Sequence, residues 1–133
     1  MNNLTKEQKQ SILDSFGEIV IKNVRDKGLE YSMGIAKNTI NNPVTMKPYS
    51  ALSNLSYEQQ EAVCDLLSET ITNVVYDFLE MFEENDDKME LIICKNGNRY
   101  NMCQISEKMG SEIACYEDNG WIQKFSEIGR FVL

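Results

Sequence analysis

The spacing of apolar residues predicts a helical first third of the chain. From residue 12 onward these residues recur at intervals of three and four, which is the period of a helix with one buried face. They are Ile12, Leu13, Phe16, Ile19, Val20 and Val24. Thr5 and Gln8 precede this run as a Thr-x-x-Gln capping box. We expect a helix that begins after Thr5 and ends or kinks at Gly28, followed by a second short helix over 29–40.

Residues 41–54 interrupt the helical pattern. The stretch opens with Asn41-Asn42-Pro43 and contains both prolines of the chain. It is longer than most connections inside a compact domain, so two interpretations stay open. The favoured one is a packed crossover in which Val44, Tyr49 and Leu52 contact the core, and the alternative is an adaptable functional surface.

The clearest periodicity follows a second capping box at Ser56 and Gln59. An apolar stripe then extends over about 25 residues, or about 37 Å of helix. It consists of Val63, Leu66, Leu67, Ile71, Val74, Val75, Phe78, Leu79 and Phe82. The pattern predicts one long central helix, buried along this stripe, which ends in the acidic run 83–87.

The apolar period then changes from helical to alternating. Residues 89–103 alternate on both sides of Asn96-Gly97, and Asn-Gly between alternating runs is a strong signal for a β-hairpin. The register set by this turn places four apolar residues on one face, Ile93 opposite Tyr100 and Leu91 opposite Met102. We expect that face to pack on the long helix, because an isolated hairpin is marginally stable.

The C-terminal part predicts short elements. We expect a helical turn at 106–110, an extended stretch at 112–116, a turn at 117–120 and a helix from Trp121 to Gly129. With 133 residues the chain is predicted to be a single domain, 1–133. Its fold class is α+β: a long central amphipathic helix with further helices packed on a small antiparallel sheet, built around a hairpin at 89–103.

Composition and charge exclude several functions. The chain has 13 Lys or Arg against 21 Asp or Glu, a formal net charge of −8, and no histidine. Without histidine, the commonest general base and the commonest metal ligand are missing. The acidic excess disfavours nucleic acid and anionic membranes as partners. If the chain has a macromolecular partner, the charge favours a basic one, and the alternative is an acidic protein without such a partner.

The cysteines and the N-terminus predict a cytoplasmic protein. Cys64, Cys94, Cys103 and Cys115 include no C-x-x-C pair, so we expect buried free thiols rather than a metal site or disulfides. The first residues lack the apolar segment of a signal peptide, and no apolar run is long enough to span a bilayer.

Carboxylates at the end of the long helix are the candidate partner-binding residues. The set is Asp77, Glu80, Glu83, Glu84, Asp86 and Asp87. Their spacing does not fit an EF-hand, and a di-metal bundle site would need a Glu-x-x-His pair, so we expect no metal and no cofactor. Two interpretations stay open: a binding face for a cationic partner, or a solvated helix end.

Two further features near the C-terminus carry an alternative interpretation. Glu112, Glu117 and Asp118 could form a paired-carboxylate site for hydrolysis, although Asp118 or Asn119 capping the last helix is the favoured role. Trp121, the one tryptophan, is expected in the core, where its indole N–H requires an acceptor, and the alternative is a binding hot spot.

The second half of the chain resembles a known group of proteins. The segments that carry the resemblance are Leu55 to Val63, Val75 to Leu79, Met89 to Ile93, Ile105 to Ile113 and Tyr116 to Ser126. Together they resemble a largely uncharacterised family of small acidic bacterial proteins over residues 53–127. Some members of that family resemble immunity proteins that neutralise toxins. The resemblance implies no catalytic residue.

These observations predict a non-enzymatic cytosolic binding protein. We expect an immunity-type inhibitor that covers a basic protein partner, such as a toxin, with an acidic surface. The first alternative is a self-associating structural or housekeeping module, a homodimer through the hairpin edge or the central helix. The second is a carboxylate-based hydrolase.

Overall fold

A computed structural model describes residues 3–106, 108–113 and 120–128. Its longer helices are α1 (Lys6–Val20), α2 (Asp26–Ala36) and α4 (Tyr57–Glu84). The short α-helices are α3 (Pro43–Met46), α5 (Met102–Ile105) and α6 (Trp121–Phe125). Strands β1 (Ile92–Lys95) and β2 (Asn98–Asn101) form a two-stranded antiparallel sheet. A π-helical segment (Ile21–Arg25) and two 3-10 helices (Lys47–Asn54 and Met109–Glu112) complete the described elements.

Helix α1 begins as predicted but does not end at Gly28. The Thr5 hydroxyl accepts from the Gln8 amide, and the Gln8 side chain accepts from the Thr5 amide, so the capping box is confirmed. Helical backbone then continues through the π-helical segment Ile21–Arg25 into α2, and Gly28 lies inside α2. The prediction that Gly28 ends or kinks the helix was wrong, because the irregularity is the wider π turn that precedes it.

The segment 41–54 is helical rather than an irregular loop. Asn42 caps α3 by accepting from the amides of Val44 and Thr45. A 3-10 helix follows directly and extends to Asn54. Val44 is 83% exposed and Tyr49 is exposed as well, so the prediction that they pack against the core was wrong.

Helix α4 confirms the predicted central helix in type and extent. Ser56 and Gln59 form the expected reciprocal capping box at its start. Its buried face, however, is Cys64, Ser68, Thr72, Val75, Leu79 and Phe82. Leu66, Val74 and Phe78 of the predicted buried stripe are exposed to solvent. The helix is thus one continuous rod, but the apolar stripe is wider than the face that the rest of the protein covers.

The hairpin has the predicted turn and register. Asn96 and Gly97 both adopt positive φ, 53° and 81°, which is the geometry that a two-residue turn of this kind requires. Ile93 pairs with Tyr100, and the Met102 amide donates to the Leu91 carbonyl. The strands are shorter than 89–103, because the chain turns into α5 at Met102. Leu91, Ile93 and Tyr100 pack against the buried core cluster that contains Met102.

The C-terminal elements differ from the prediction in their bounds. The turn predicted at 106–110 is replaced by α5 and by the 3-10 helix Met109–Glu112, and α6 ends at Phe125. The expectations for 114–119 lie outside the described residues. Trp121 is fully buried, as predicted, in a cluster formed with residues of α1, α4 and α5. Helices packed with a small antiparallel hairpin confirm the α+β fold class.

Candidate functional site

An apolar groove lies between α1 and α4. Its rim consists of four side chains that are each 55–61% exposed: Ile19 and Val24 from the first helical run, and Val74 and Phe78 from α4. Its floor is formed by Phe16, Val20, Val75, Leu79 and Leu91. The groove encloses about 460 Å³, and every side chain that lines it is apolar. A contiguous exposed apolar surface of this kind is typical of a binding site.

Aromatic contacts hold both walls of the groove in place. Phe16 packs edge-to-face on Trp121 with ring centroids 5.9 Å apart. Phe78 packs in the same geometry on Phe82 at 5.4 Å. Such pairs contribute beyond their buried area, so these contacts favour the observed positions of the Phe16 and Phe78 rings.

A buried arginine links the two helical segments beside the groove. Arg25, which follows the rim residue Val24, is fully buried and donates from Nε to the Thr72 hydroxyl of α4 at 3.0 Å. Its Nη1 donates to Asp26 at 2.8 Å and to Ser126 at 3.2 Å. Burial lowers the pKa of Arg25 and the adjacent Asp26 carboxylate opposes that shift. The guanidinium therefore ties the π-helical segment to α4 beside the groove.

Helix α4 carries the entire acidic excess of the chain. Its 28 residues include eight carboxylates and neither Lys nor Arg. The rest of the chain has 13 carboxylates and 13 Lys or Arg, so its formal charge is zero. One wall of the groove is therefore the most negative element of the protein.

Two of the predicted partner-binding carboxylates are used internally. Glu80 accepts from the Tyr76 hydroxyl at 2.8 Å, an interaction that raises the pKa of Tyr76. Glu83 is half-buried and accepts from the Met109 amide, which joins α4 to the 3-10 helix Met109–Glu112. Burial raises the pKa of Glu83, and the bond from Met109 acts in the opposite direction.

The other four predicted carboxylates lie at the surface. Asp77, Glu84, Asp86 and Asp87 are exposed. Asp77 adjoins the rim residue Phe78, and Glu84 lies seven positions further along, on the same side of α4 as Asp77. The predicted set therefore divides into two structural carboxylates and four that are accessible to a partner. Asp77 is next in sequence to the groove rim, whereas Glu84 lies five positions beyond Leu79, the last groove residue of α4.

The three cysteines within the described residues are free thiols that differ in their exposure. Cys64 is buried, Cys103 is half-buried and Cys94 is exposed, so the prediction of burial was wrong for Cys94. Burial raises the pKa of Cys64 and of Cys103, which keeps both thiols protonated near neutral pH. Cys115 lies outside the described residues.

The described residues also bear on a metal site, a paired-carboxylate site and a membrane-spanning helix. No group of three or more Cys, Asp or Glu side chains is arranged there to hold a metal ion. Glu117 and Asp118 lie outside these residues, so the paired-carboxylate hypothesis with Glu112 stays a prediction. None of the described helices combines the length and apolar content that crossing a lipid bilayer requires.

The groove was missed because periodicity does not distinguish a buried apolar face from an exposed one. One signal was available in the sequence. Val74-Val75 and Phe78-Leu79 are adjacent apolar pairs, and adjacent helix positions point about 100° apart. Both members of each pair can pack on one core only if the buried arc is unusually wide. In the structure, Val75 and Leu79 are buried and Val74 and Phe78 are exposed.

Comparisons with known proteins give no match. No protein-family model, curated protein or solved structure matches this chain. The resemblance of residues 53–127 to small acidic bacterial proteins therefore stays a prediction.

Proposed function

We propose that this protein is a non-enzymatic binding protein that covers a basic protein partner with the acidic face of α4. One observation carries the proposal: α4 holds eight carboxylates without a cation, while the rest of the chain is neutral. Charge concentrated on one exposed element attracts an oppositely charged surface and accelerates its association.

The accessible carboxylates at the end of α4 are the residues proposed to meet the partner. Asp77, Glu84, Asp86 and Asp87 are exposed, whereas Glu80 and Glu83 have internal hydrogen-bond partners. Removing charge from Asp77 and Glu84 should slow association, because steering depends on local negative potential. We propose that Glu80 and Glu83 stabilise this end of the helix through these hydrogen bonds and do not contact the partner.

Within this class we propose an immunity-type inhibitor that acts in the cytoplasm. The resemblance of residues 53–127 supports this finer assignment. An inhibitor of this kind needs rapid association more than chemistry, since its effect depends on occupying the partner before the partner acts.

The test uses the natural partner, isolated from the cells that produce this protein. Association rates are measured by stopped-flow for the wild type, for Asp77→Asn with Glu84→Gln, and for the matched control Glu61→Gln with Asp65→Asn. Both pairs remove two exposed charges from α4. We expect the first pair to reduce the association rate several-fold more than the control, with both effects shrinking as salt is raised.

Two results would reject the proposal. One is a partner that is itself acidic, and the other is an association rate that does not respond to salt. A self-associating module, the alternative with an apolar groove in its favour, would instead give a dimer of the isolated chain in sedimentation velocity.

A further inference from the structure

We propose that the groove between α1 and α4 receives an amphipathic helix of the partner, with apolar residues along one face and Lys or Arg along its flank. This inference rests on the proposed function and names the element of the partner that this protein recognises. The groove and the negative charge of α4 carry it together.

The walls of the groove favour a helix over an extended segment. Both walls are helices, whose backbone N–H and C=O groups bond within each helix. A β-strand that docked between these two helices would find no free backbone partner on either of them for its own amides. A helix satisfies its backbone internally and needs only side-chain contacts, which an apolar lining supplies.

The dimensions of the groove fit a short stretch of helix. From Phe16 to Val24 the first wall extends over eight positions, about 12 Å at helical rise. Two turns of a partner helix span about the same length and present apolar side chains at positions i, i+3 or i+4, and i+7. The volume of about 460 Å³ is small, so the contact is confined to a few large side chains.

The negative charge of α4 favours a partner helix with Lys or Arg beside its apolar stripe. The same charge disfavours binding of a second copy of this chain at the groove. A symmetric dimer through this surface would bring together two α4 helices, each with eight carboxylates and no cation. Like charges brought together in this way are unfavourable. A helix with Lys or Arg beside its apolar stripe instead places cations against α4, where Asp77 is exposed next to the rim residue Phe78.

The experiment measures binding of three fluorescent 18-residue peptides to the full chain by anisotropy. The first combines a Leu stripe at helical spacing with Lys on its flanks. The second has the same composition in a scrambled order without a stripe, and the third keeps the Leu stripe but replaces Lys with Glu. We expect the first peptide to bind at least about tenfold more tightly than either of the others.

Two groove variants and one matched control identify the surface that binds. Phe78→Ser and Ile19→Ser each remove one rim side chain from opposite walls, whereas Leu66→Ser removes a similarly exposed side chain of α4 outside the groove. All three positions are more than half exposed, so the fold should persist, and circular dichroism checks this. We expect about a tenfold loss of affinity for the first two variants and no change for the third.

The outcomes separate failure of this inference from failure of the proposed function. Equal binding of the striped and scrambled Lys peptides would overturn the groove inference while leaving the acidic-face proposal intact. Binding of the Glu peptide as tightly as the Lys peptide would overturn the basic flank and count against the acidic face as well. A dimer of the isolated chain that Phe78→Ser dissolves would assign the groove to a second copy and overturn the inference.

Discussion

At the scale of single residues, Trp121 packs directly against Gly17 of α1. The indole ring lies over Gly17, where an added Cβ would be 2.3 Å from the ring atom Cε2. No side chain fits at that position without displacing Trp121, whose ring also supports the groove residue Phe16. The Trp121 Nε1 has no hydrogen-bond partner among the described residues, so shape rather than polar contact holds the ring there.

Gly17→Ala should therefore destabilise the protein by about 1–3 kcal/mol, the usual range for overpacking. Gly28→Ala is the matched control, since Gly28 is also helical and its nearest neighbour to an added Cβ, Ile71 Cδ1, is 3.8 Å away. That change should raise stability by up to about 1 kcal/mol, because alanine favours helix. Urea denaturation of both variants measures the difference. Equal effects of the two changes would contradict the assigned position of Trp121.

Glu83 provides a second residue-level prediction, which concerns pH. Its pKa in the folded protein is raised above 4.5 by burial, so between the unfolded and folded values the folded state binds more protons. The stability contributed by Glu83 is present below about pH 4.5 and is lost as pH rises through the pKa of Glu83 in the folded protein. Glu83→Gln keeps an oxygen that accepts from Met109 but has no charge to bury.

The free energy of unfolding of the wild type minus that of Glu83→Gln should thus fall as pH rises from about 4.5 through the raised pKa of folded Glu83. Glu84→Gln, which alters an exposed neighbour, should show a much smaller change over the same range. A difference that rises with pH would show that Glu83 is stabilised as a carboxylate, contrary to its half-buried position.

At the scale of elements, features that depend on nearby residues were predicted correctly, and features that depend on residues far apart in the sequence were not. The two capping boxes and the Asn-Gly turn depend on residues a few positions apart, so the sequence was sufficient to predict the start of α1, the start of α4 and the hairpin register. Arg25, the last residue of the π-helical segment, contacts Thr72 from 47 positions away, and no local pattern predicts either that contact or the π turn. Exposure of Val74 and Phe78 likewise depends on which elements cover α4.

The effects of mutating Arg25 and Asp26 on stability should be coupled, because the two buried side chains form an ion pair that links the π-helical segment to α4 and to the residues after α6. Asp26→Ala leaves a buried guanidinium without its carboxylate and should cost about 3–5 kcal/mol. Asp26 also accepts from the Glu127 amide at 2.8 Å, so the residues after α6 should loosen too. Adding Arg25→Met to Asp26→Ala removes the unpaired charge and should cost less than the two single changes summed. Additivity of the three denaturation energies would contradict a coupled pair.

At the scale of the whole molecule, the distribution of charge and apolar surface is asymmetric. The excess of carboxylates is confined to α4, and the rim of the groove is formed in part by the same helix. The sequence alone predicted an acidic binding surface near the end of α4 but placed Glu80 and Glu83 on it, because spacing does not reveal which side chains have internal partners. The apolar component of the surface became evident only from the packing of α1 beside α4.

The central claim is that this combined surface binds the partner, and methyl NMR of the full chain titrated with its natural partner tests it most directly. We predict that the methyl signals of Ile19, Val24 and Val74 shift on binding. Those of Val44 and Leu66, which are at least as exposed but do not line the groove, should stay in place. Shifts at Val44 and Leu66 with the groove methyls unchanged would contradict the account.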